Sequence, residues 1–281
     1  MQGRVALVTG GASGIGRALS GALVARGASV VVADINASRA AAVASELDGR
    51  GPGSATSLSL DVADAGGFQR AVGEVRDGHG RLDLLFNNAG IGIGGPVEEL
   101  ELAHWERTID VNLRGVMHGV VAAYPLMVEQ GHGHIVNTAS LAGLLPFPFG
   151  VPYGMTKHAV VGLSVSLRGE ARAHGVRVSA VCPGVIDTPI LDSEGPPDLP
   201  RTRFAGRGRE MFLRSNRGPA YPPERLAEDV LRGVERNRAI IVAPARARTI
   251  WLANRIAPGL VERLLTRELK WVRQKLAEPR E

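Results

Sequence analysis

The stretch Thr9-Gly10-Gly11-Ala12-Ser13-Gly14-Ile15-Gly16 follows a short aliphatic run and leads into a segment of helical period. Its glycines allow the backbone to turn tightly, to approach a ligand closely and to pack the next helix against the strand. The first turn of a helix also offers unpaired N–H groups, which bind phosphate. Because the spacing G-x-x-x-G-x-G differs from the general fingerprint G-x-G-x-x-G, the turn predicts a dinucleotide site only together with further features.

An acidic residue, Asp34, closes the next aliphatic run, at residues 29–33. A carboxylate at that point accepts hydrogen bonds from both ribose hydroxyls of NAD and repels the additional phosphate of NADP. Ile35 follows it, where an arginine would favour that phosphate. Arg17 and Arg39 are the nearby cations that would favour NADP if they faced the site, and we interpret both as solvated helix residues. We therefore expect NAD (NADH), with NADP as the less favoured cofactor.

Short aliphatic runs alternate with longer segments of helical period along most of the chain. The predicted strands are residues 4–9, 29–34, 55–61, 82–87, 134–140, 176–182 and 239–242. The predicted helices are residues 16–26, 36–47, 65–78, 101–129, 153–174 and 223–237. This alternation predicts an α/β fold in which a doubly wound parallel sheet of about seven strands carries helices on both faces.

The domain organisation follows from the same pattern. We expect one catalytic domain, residues 1–245, and a C-terminal helical extension, residues 246–281. Residues 188–223 interrupt the alternation, because they are rich in proline, glycine and arginine and show little regular period. A loop of that length is usually functional or mobile, and this one follows the carboxyl end of a strand, where open α/β sheets bind ligands. We favour a substrate lid over an ordinary surface excursion.

Composition limits the classes of function. Cys182 is the only cysteine, which excludes an internal disulfide and a thiolate metal cluster, and we expect no metal site. Neither an apolar stretch of twenty residues nor a signal-peptide pattern is present, so a cytoplasmic protein is expected. The formal net charge is +5, and residues 246–281 alone carry nine basic and four acidic residues. Because the main body is then neutral, we expect no nucleic-acid partner.

Tyr153 and Lys157 are four residues apart at the start of a predicted helix, so their side chains share one face. A free tyrosine has a pKa of about 10, which is too high for efficient proton exchange near neutral pH. A lysine ammonium beside the phenol stabilises the phenolate and lowers that pKa, as general acid–base catalysis requires. The Y-x-x-x-K pattern alone is common, and most such pairs are only neighbours on a helix surface.

Three further segments make the pattern specific. Ser140 ends a predicted strand thirteen residues before Tyr153, Asn87-Asn88-Ala89-Gly90 ends another, and Asn112 follows. Together with the glycine turn and the Tyr153–Lys157 pair, these segments resemble the classical short-chain dehydrogenase/reductase family. The resemblance covers about residues 5–190 and the later strand at 239–242, and it implies a single Rossmann-type domain.

The resemblance also implies roles for individual residues. Tyr153 would exchange a proton with the substrate oxygen, Ser140 would hydrogen-bond that oxygen, and Lys157 would bind the nicotinamide ribose and lower the pKa of Tyr153. Asn112 would hold a water that joins Lys157 to solvent. The cofactor-binding residues that it implies, besides Tyr153 and Lys157, are Gly10, Ser13, Gly14, Ile15, Gly16, Asp34, Ile35, Asp61, Val62, Asn88, Ala89, Gly90, Pro183, Gly184, Ile186 and Thr188.

The leading hypothesis for the function is reversible oxidation of a secondary alcohol to a ketone. The small-molecule substrate is expected to be fairly hydrophobic, because six apolar residues that are able to line a pocket or a subunit interface follow Ser140: Leu141, Leu144, Leu145, Pro146, Phe147 and Phe149. An NADPH-preferring carbonyl or acyl-thioester reductase is the related alternative. A non-catalytic NAD-binding regulator is a different class, which the presence of a complete proton relay disfavours. The resemblance further implies a homotetramer or homodimer, with the Tyr153 helix commonly at the interface.

The C-terminal extension is not explained by the resemblance. A break at Pro258-Gly259 precedes a second helix in which apolar residues recur on one side, at Val261, Leu265, Leu269, Val272 and Leu276. Basic residues lie on the opposite side, at Arg263, Arg267, Lys270, Arg273 and Lys275. We favour a helix folded on its own subunit or on a neighbour. The alternative is contact with an anionic membrane surface, since a basic amphipathic helix with nearby Trp251 and Trp271 suits one.

Overall fold

The computed structural model describes residues 1–216 and 218–277. Within these ranges, it leaves undescribed the side chains of Ser215, Asn216, Leu264, Leu265, Arg267 and Glu268. The strands are β1 (Val5–Thr9), β2 (Ser29–Asp34), β3 (Ser54–Ser59), β4 (Leu84–Asn87), β5 (Gly133–Thr138), β6 (Val176–Pro183) and β7 (Ile240–Ala243). The helices are α1 (Gly14–Val24), α2 (Ala37–Leu47), α3 (Ala65–His79), α4 (Leu102–Ile109), α5 (Gly115–Gln130), α6 (Val151–Ala171), α7 (Gly208–Asn216), α8 (Pro223–Glu235), α9 (Ala245–Ile256) and α10 (Pro258–Ala277).

The seven strands form one parallel sheet in the order β3-β2-β1-β4-β5-β6-β7. Successive side chains of a strand point to opposite faces, so an aliphatic strand buries both faces. Val8 packs with α1, α2 and α8 on one face, whereas Leu7 packs with α3, α5 and α6 on the other. The predicted fold class, a doubly wound parallel sheet of seven strands, is confirmed.

The strand order changes direction at β1, which has β2 on one side and β4 on the other. The connections that follow β1 and β4 therefore leave the sheet on opposite sides, and a crevice opens between their carboxyl ends. Because all strands are parallel, the segments that follow β1, β2, β4, β5 and β6 meet at this same edge. Most residues that the sequence predicts to be functional lie on or after one of these strands or at the start of a neighbouring helix, whereas Asp61 and Val62 follow β3 and Asn112 lies between α4 and α5.

The long helix predicted over residues 101–129 is divided in the structure. Helix α4 ends at Ile109, a single π-helical turn follows over Asp110–Arg114, and α5 then begins at Gly115. The turn contains Asn112, whose side chain bonds the backbone of Ile91 in a loop distant in sequence. A π turn inserts one extra residue per turn and often occurs at functional sites, and periodicity alone does not locate it.

The segment 188–223, predicted as a loop with little regular structure, contains helix α7, so that prediction was wrong in part. Met211 of α7 is buried against the C-terminal helix α10, where it contacts Val272 and Leu276. This packing explains the difference, because tertiary contacts stabilise a short helix whose own sequence is rich in arginine and glycine.

The two helices expected on either side of the Pro258-Gly259 break are present as α9 and α10. Ala247 of α9 is buried beside β7, and α10 lies on α7 of the same chain. The apolar side chains of Val272 and Leu276 are thus used within the subunit and do not face a membrane. The predicted side-chain placements of Leu265 and Arg267 lie outside the described residues, as do residues 278–281. Among the described helices, none combines the length and apolar character needed to cross a bilayer.

Candidate active site

The glycine turn forms a cradle of bare backbone between β1 and α1. Gly10 and Gly14 adopt positive φ angles of 62° and 49°, which favour glycine over residues with a side chain. A Cβ atom at Gly16 would lie 2.1 Å from the carbonyl oxygen of Gly10, so no other residue fits there without a backbone shift. Ser13 precedes the first turn of α1 in extended conformation, and Ile15 lies within that turn. Since the helix N-terminus and its N–H groups face this cradle, the turn fits a pyrophosphate.

Asp34 ends β2 beside the cradle. One of its carboxylate oxygens accepts the backbone N–H of Ala12 at 3.1 Å, and the other accepts that of Asn36 at 3.0 Å. The carboxylate is therefore held against the glycine turn, where it fits the hydroxyls of an adenosine ribose. Ile35 is 71% exposed next to it. Arg17 is directed to Glu46 at 2.6 Å, in agreement with its interpretation as a helix-surface residue.

Thr9 is a functional residue that sequence reasoning missed. Its hydroxyl donates to the carbonyl of Phe86 at 3.3 Å and accepts the N–H groups of Asn88 and Ala89 at 2.9 and 3.0 Å. The Asn88 amide in turn donates to the Thr9 carbonyl at 3.0 Å. These bonds join the ends of β1 and β4 and hold Asn88-Ala89-Gly90 against the glycine turn. The sequence feature that could have identified Thr9 is its position as a hydroxyl residue directly before the glycine turn.

The remaining predicted cofactor residues lie on both sides of the cradle. Asp61 is exposed after β3. Val62 is buried and packs so closely on Gly115 that a Cβ atom at Gly115 would lie 2.8 Å from the Val62 side chain. On the other side, the segment Pro183, Gly184, Ile186 and Thr188 follows β6. Thr188 reaches the glycine turn, because its methyl group lies 3.0 Å from the point that a Cβ atom at Gly14 would occupy. The structure thus brings the predicted nucleotide residues to one edge of the sheet.

Ser140 and Tyr153 are brought into direct contact. Ser140 follows β5, where its hydroxyl accepts the N–H of Ala142 at 3.1 Å, and it also hydrogen-bonds the Tyr153 hydroxyl. Tyr153 lies in the first turn of α6 with Phe147 packed 5.5 Å away, ring centroid to ring centroid. Burial raises the pKa of Tyr153, and the hydrogen bond with Ser140 opposes that effect.

Lys157 is buried one helical turn beyond Tyr153. Its ammonium donates to the Thr138 carbonyl at 2.8 Å and lies 5.6 Å from the centre of the Tyr153 ring. Desolvation lowers the pKa of Lys157 to about 8. The sequence predicted that this ammonium lowers the pKa of Tyr153, whereas in the structure burial raises that pKa and the group that opposes the rise is Ser140.

Asn112 is held beside Lys157 through the loop after β4. Its amide oxygen accepts the N–H of Ile91 at 2.8 Å, and its amide nitrogen donates to the Ile91 carbonyl at 3.0 Å. A Cβ at Gly90 would lie 3.1 Å from the Asn112 oxygen and 3.6 Å from the Lys157 nitrogen, so both groups converge on Gly90. The two hydrogen bonds between its side chain and the backbone of Ile91 allow Asn112 to fix the position of this loop.

The apolar residues after Ser140 divide into two groups. Leu141 and Leu144 are half-buried and pack against the core next to β6 and β7, and Leu145 is buried. Phe147 stacks on Phe212 of α7 at 5.7 Å, and Phe149 packs with α7 and α10. Phe149 also has a φ angle of 60°, and a strained residue of this kind is typical of ligand-binding loops.

Over residues 4–198, the sequence matches the family described as short chain dehydrogenase. The matched region includes β1 to β6 and every predicted site residue. The chain is a short-chain dehydrogenase.

Its relatives agree with that assignment. D-threitol dehydrogenase of Mycolicibacterium smegmatis is 40% identical over 190 residues, which are 68% of this chain and 73% of that protein. The probable oxidoreductase EphD of Mycobacterium tuberculosis is 35% identical over 258 residues, or 89% of this chain and 43% of that protein. The crystal structure of a short-chain dehydrogenase/reductase from Burkholderia phymatum in complex with NAD has a TM-score of 0.83 and 30% identity, with 92% of this chain and 95% of that chain covered. This short-chain dehydrogenase is thus an oxidoreductase that acts on CH–OH groups and uses a nicotinamide cofactor.

Replacing Lys157 with methionine should change how stability depends on pH. The pKa of Lys157 is about 8 in the folded dehydrogenase and 10.5 in the unfolded chain. Between these values the unfolded chain binds more protons, so this group makes the free energy of unfolding rise with pH. Burial raises the pKa of the Cys182 thiol to about 12, which acts in the opposite direction, but Cys182 is present in both proteins and its effect cancels in the comparison. The wild type should therefore gain roughly 1–2 kcal/mol relative to Lys157→Met between about pH 8 and pH 10.

Urea denaturation at several pH values in this range measures the difference. Lys270→Met is the matched control, since Lys270 is exposed on α10. Parallel pH dependences of wild type and Lys157→Met would show that the ammonium is not desolvated in the folded protein.

Proposed function

We propose that this short-chain dehydrogenase transfers a hydride between NAD(H) and a secondary alcohol or ketone, with Tyr153 as the general acid and base. The observation that carries the proposal is the contact between the Tyr153 and Ser140 hydroxyls, with the buried Lys157 ammonium beside the ring. The glycine cradle lies at the same edge of the sheet. Binding of a nucleotide alone does not require this arrangement of proton-transfer groups.

The chain's own residues position the substrate and move the proton. Ser140 donates a hydrogen bond to the substrate oxygen, and Tyr153 gives a proton to that oxygen in reduction or takes one in oxidation. Lys157 stabilises the phenolate left on Tyr153, and in the wild type its pKa of about 8 allows it to pass a proton onward near neutral pH. Asn112 is a positioning residue that fixes the Ile91 loop next to Lys157. When bound, the nicotinamide supplies the hydride chemistry.

NAD is the proposed cofactor in preference to NADP. Asp34 presents a carboxylate at the end of β2, and Ile35 offers no charge to a 2′-phosphate. The neighbouring structure described as an NAD complex supports this choice. The alternative, an NADPH-preferring carbonyl or acyl-thioester reductase, requires a cation at this position, and Arg17 is already paired with Glu46.

The substrate is proposed to be a small alcohol or ketone with an apolar body. The ring of Phe147 packs on Tyr153, and Phe212 stacks behind it. The relative named D-threitol dehydrogenase supports an alcohol as the reacting group. The wall next to Tyr153 is aromatic, and such a wall favours an apolar body over a polyol.

The chain is proposed to consist of a catalytic domain, residues 1–245, and a C-terminal extension, residues 246–281. Within the catalytic domain, residues 188–223 are proposed to act as a substrate lid. Contacts to the loop after β4 and to α4 hold the lid in place: Thr202 donates to the Gly94 carbonyl at 2.5 Å, and Arg107 binds Asp198 at 2.6 Å. His104 also hydrogen-bonds the Pro200 carbonyl at 2.9 Å. The Arg107–Asp198 pair is exposed, whereas His104 and Thr202 are buried, so the lid is held by one surface ion pair and two interior hydrogen bonds.

Changing Tyr153 to phenylalanine should leave NADH binding intact and reduce kcat by roughly 10²–10⁴-fold, because only the transferable proton is lost. Fluorescence titration measures the binding, and NAD reduction with secondary alcohols measures turnover. Tyr124→Phe on α5 is the matched control and should keep its activity. A retained kcat with an unchanged pH profile would contradict the role of Tyr153.

Changing Asp34 to asparagine should weaken NADH binding by about tenfold and leave NADPH binding equal or tighter, since the charge that repels the 2′-phosphate is removed. Asp48→Asn is the control, because Asp48 lies after α2 and binds the Ala55 N–H. Titration with both nucleotides measures the two dissociation constants. An equal loss for both would argue against contact of Asp34 with the ribose.

A homodimer or homotetramer is proposed, since α5 and α6 expose large apolar side chains. Val121 of α5 is 62% exposed, and Met155 and Val165 of α6 are also exposed. Val121→Glu should lower the mass measured by light scattering toward that of a monomer. Ile256→Glu, at another exposed apolar residue, should leave the mass unchanged. A monomeric wild type would overturn the proposal.

A further inference from the structure

Several arginines line one cavity beside β7, the last strand of the sheet. The cavity has a volume of about 320 Å³ and lies between α8, β7 and the first turn of α9. That volume is at the lower end of the range of about 300–1,000 Å³ that is typical of small-molecule sites. Among the described residues, the charged members of its lining are Asp229, Arg232, Arg236, Arg238 and Arg248. The lining therefore carries an excess of positive charge.

The acidic residue Asp229 balances one of these arginines. Its carboxylate forms an ion pair with Arg232, one turn away on α8. Within the part of the chain that the structure describes, no carboxylate lies within ion-pairing distance of Arg236, Arg238 or Arg248. Three guanidinium groups at one small cavity repel one another, and a bound anion would offset that repulsion.

The backbone that carries Arg238 is fixed from several sides. Asn237, directly before it, has a φ angle of 49°, which is uncommon for a residue with a side chain. The Arg168 guanidinium donates to the Asn237 side-chain oxygen and to its carbonyl, both at 2.8 Å. The Ser179 hydroxyl donates to the Arg238 carbonyl at 2.6 Å, and the Arg238 N–H donates to the Gly233 carbonyl at 3.0 Å. These bonds use the Arg238 backbone, so the turn holds the residue at the cavity and leaves its guanidinium for a ligand.

Close packing of α8 on β7 brings a second arginine to the cavity. A Cβ atom at Gly233 would lie 2.6 Å from the Ile241 side chain, so the glycine allows the helix to approach the strand. Arg236 directly follows the last residue of α8, one turn after Arg232, and both line the cavity. The same end of α8 thus supplies the paired Arg232 and the unpaired Arg236.

Arg248 reaches the cavity from α9. One of its N–H groups donates to the Val242 carbonyl at 3.4 Å, and a guanidinium has five N–H groups in total. Arg236, Arg238 and Arg248 therefore come from three separate segments. The terminal oxygens of a phosphate point in several directions, whereas the two oxygens of a carboxylate lie in one plane. Guanidinium groups from three segments are thus better suited to a phosphate.

The cavity is distinct from the glycine cradle. Of its described lining residues, none belongs to the glycine turn or to the other predicted cofactor residues. Tyr221 lines the cavity, and its backbone N–H donates to the Val185 carbonyl at 2.9 Å, in the segment after β6. An anion in this cavity would lie behind that segment and would not take the pyrophosphate position.

We propose that this cavity binds a phosphate dianion, either as the free ion or as the phosphate group of a small ester. Arg236, Arg238 and Arg248 donate to its oxygens. Asp229 does not repel the dianion, because its charge is neutralised by Arg232. The site is separate from the cofactor site, so the inference does not depend on the proposed catalytic function.

Calorimetric titration of the protein with inorganic phosphate and with phenyl phosphate tests the inference. NADH is kept at saturation to occupy the glycine cradle, and sodium chloride at about 0.1 M screens weak surface attraction. The wild type should bind one phosphate group per chain with a Kd below about 1 mM. Either compound bound in this way supports the site, and the tighter of the two shows whether its ligand is the free ion or an ester.

Arg238→Gln should weaken this binding by at least about tenfold, because a charge-assisted hydrogen bond is lost while the backbone bonds of the turn remain. Arg238→Lys restores a cation and should recover part of the affinity. Arg225→Gln is the matched control, since Arg225 is exposed on α8 outside the cavity lining, and it should bind as the wild type does. Failure of the wild type to bind either compound, or equal affinities of wild type and Arg238→Gln, would overturn the inference.

Circular dichroism checks that the variants are folded. If Arg238→Gln does not fold, Arg236→Gln removes another guanidinium at the end of α8 and should weaken binding by a similar factor. An unchanged affinity of that variant would contradict the inference, because phosphate bound at any other place on the chain would be insensitive to it.

Discussion

The parallel arrangement of all seven strands is the constraint on which the rest of the structure depends. It sends the carboxyl end of each strand to the same edge of the sheet. The glycine turn, Asp34, Asn88, Ser140 and Thr188 are far apart in sequence, and they meet because each follows a strand of this sheet. The hydroxyl of Thr9 then joins the two strands at the change of strand order, since it bonds residues of β4 and of the loop after it. The parallel sheet and the Thr9 hydrogen bonds therefore determine where the site lies.

Burying Tyr153 and Lys157, the proposed proton-transfer residues, has an electrostatic cost. Burying the Lys157 ammonium lowers its pKa to about 8, and burial of Tyr153 raises the pKa of the phenol. Both shifts have the same cause, because a low-dielectric surrounding disfavours the charged form of each group. The carbonyl of Thr138 and the hydroxyl of Ser140 supply the partners that make this burial possible. The pKa of Tyr153 rises and that of Lys157 falls, so the two values move apart. Lys157 therefore places a cation beside the Tyr153 ring and a hydrogen bond on Thr138 without lowering the pKa of the phenol below its usual value.

The proposed substrate side of the site is built differently from the proposed nucleotide side. The nucleotide side is bare backbone and short polar side chains, held by hydrogen bonds at the sheet edge. The substrate side is made of aromatic rings, Phe147 and Phe212, backed by α7 and α10.

Local patterns in the sequence determined the strands, most of the helices and the candidate catalytic pair, Tyr153 and Lys157. The glycine turn and the Tyr153–Lys157 spacing act within one turn of chain, so sequence alone was enough to predict them. Tertiary structure decided the rest. The π turn at Asn112 depends on the Ile91 loop, α7 depends on α10, and the role of Thr9 depends on Asn88 and Ala89. The direction of the Tyr153 pKa shift depends on how deeply the folded chain buries the phenol. Each of these features arises from a contact between distant residues or from burial, and neither is encoded in the spacing of neighbouring residues.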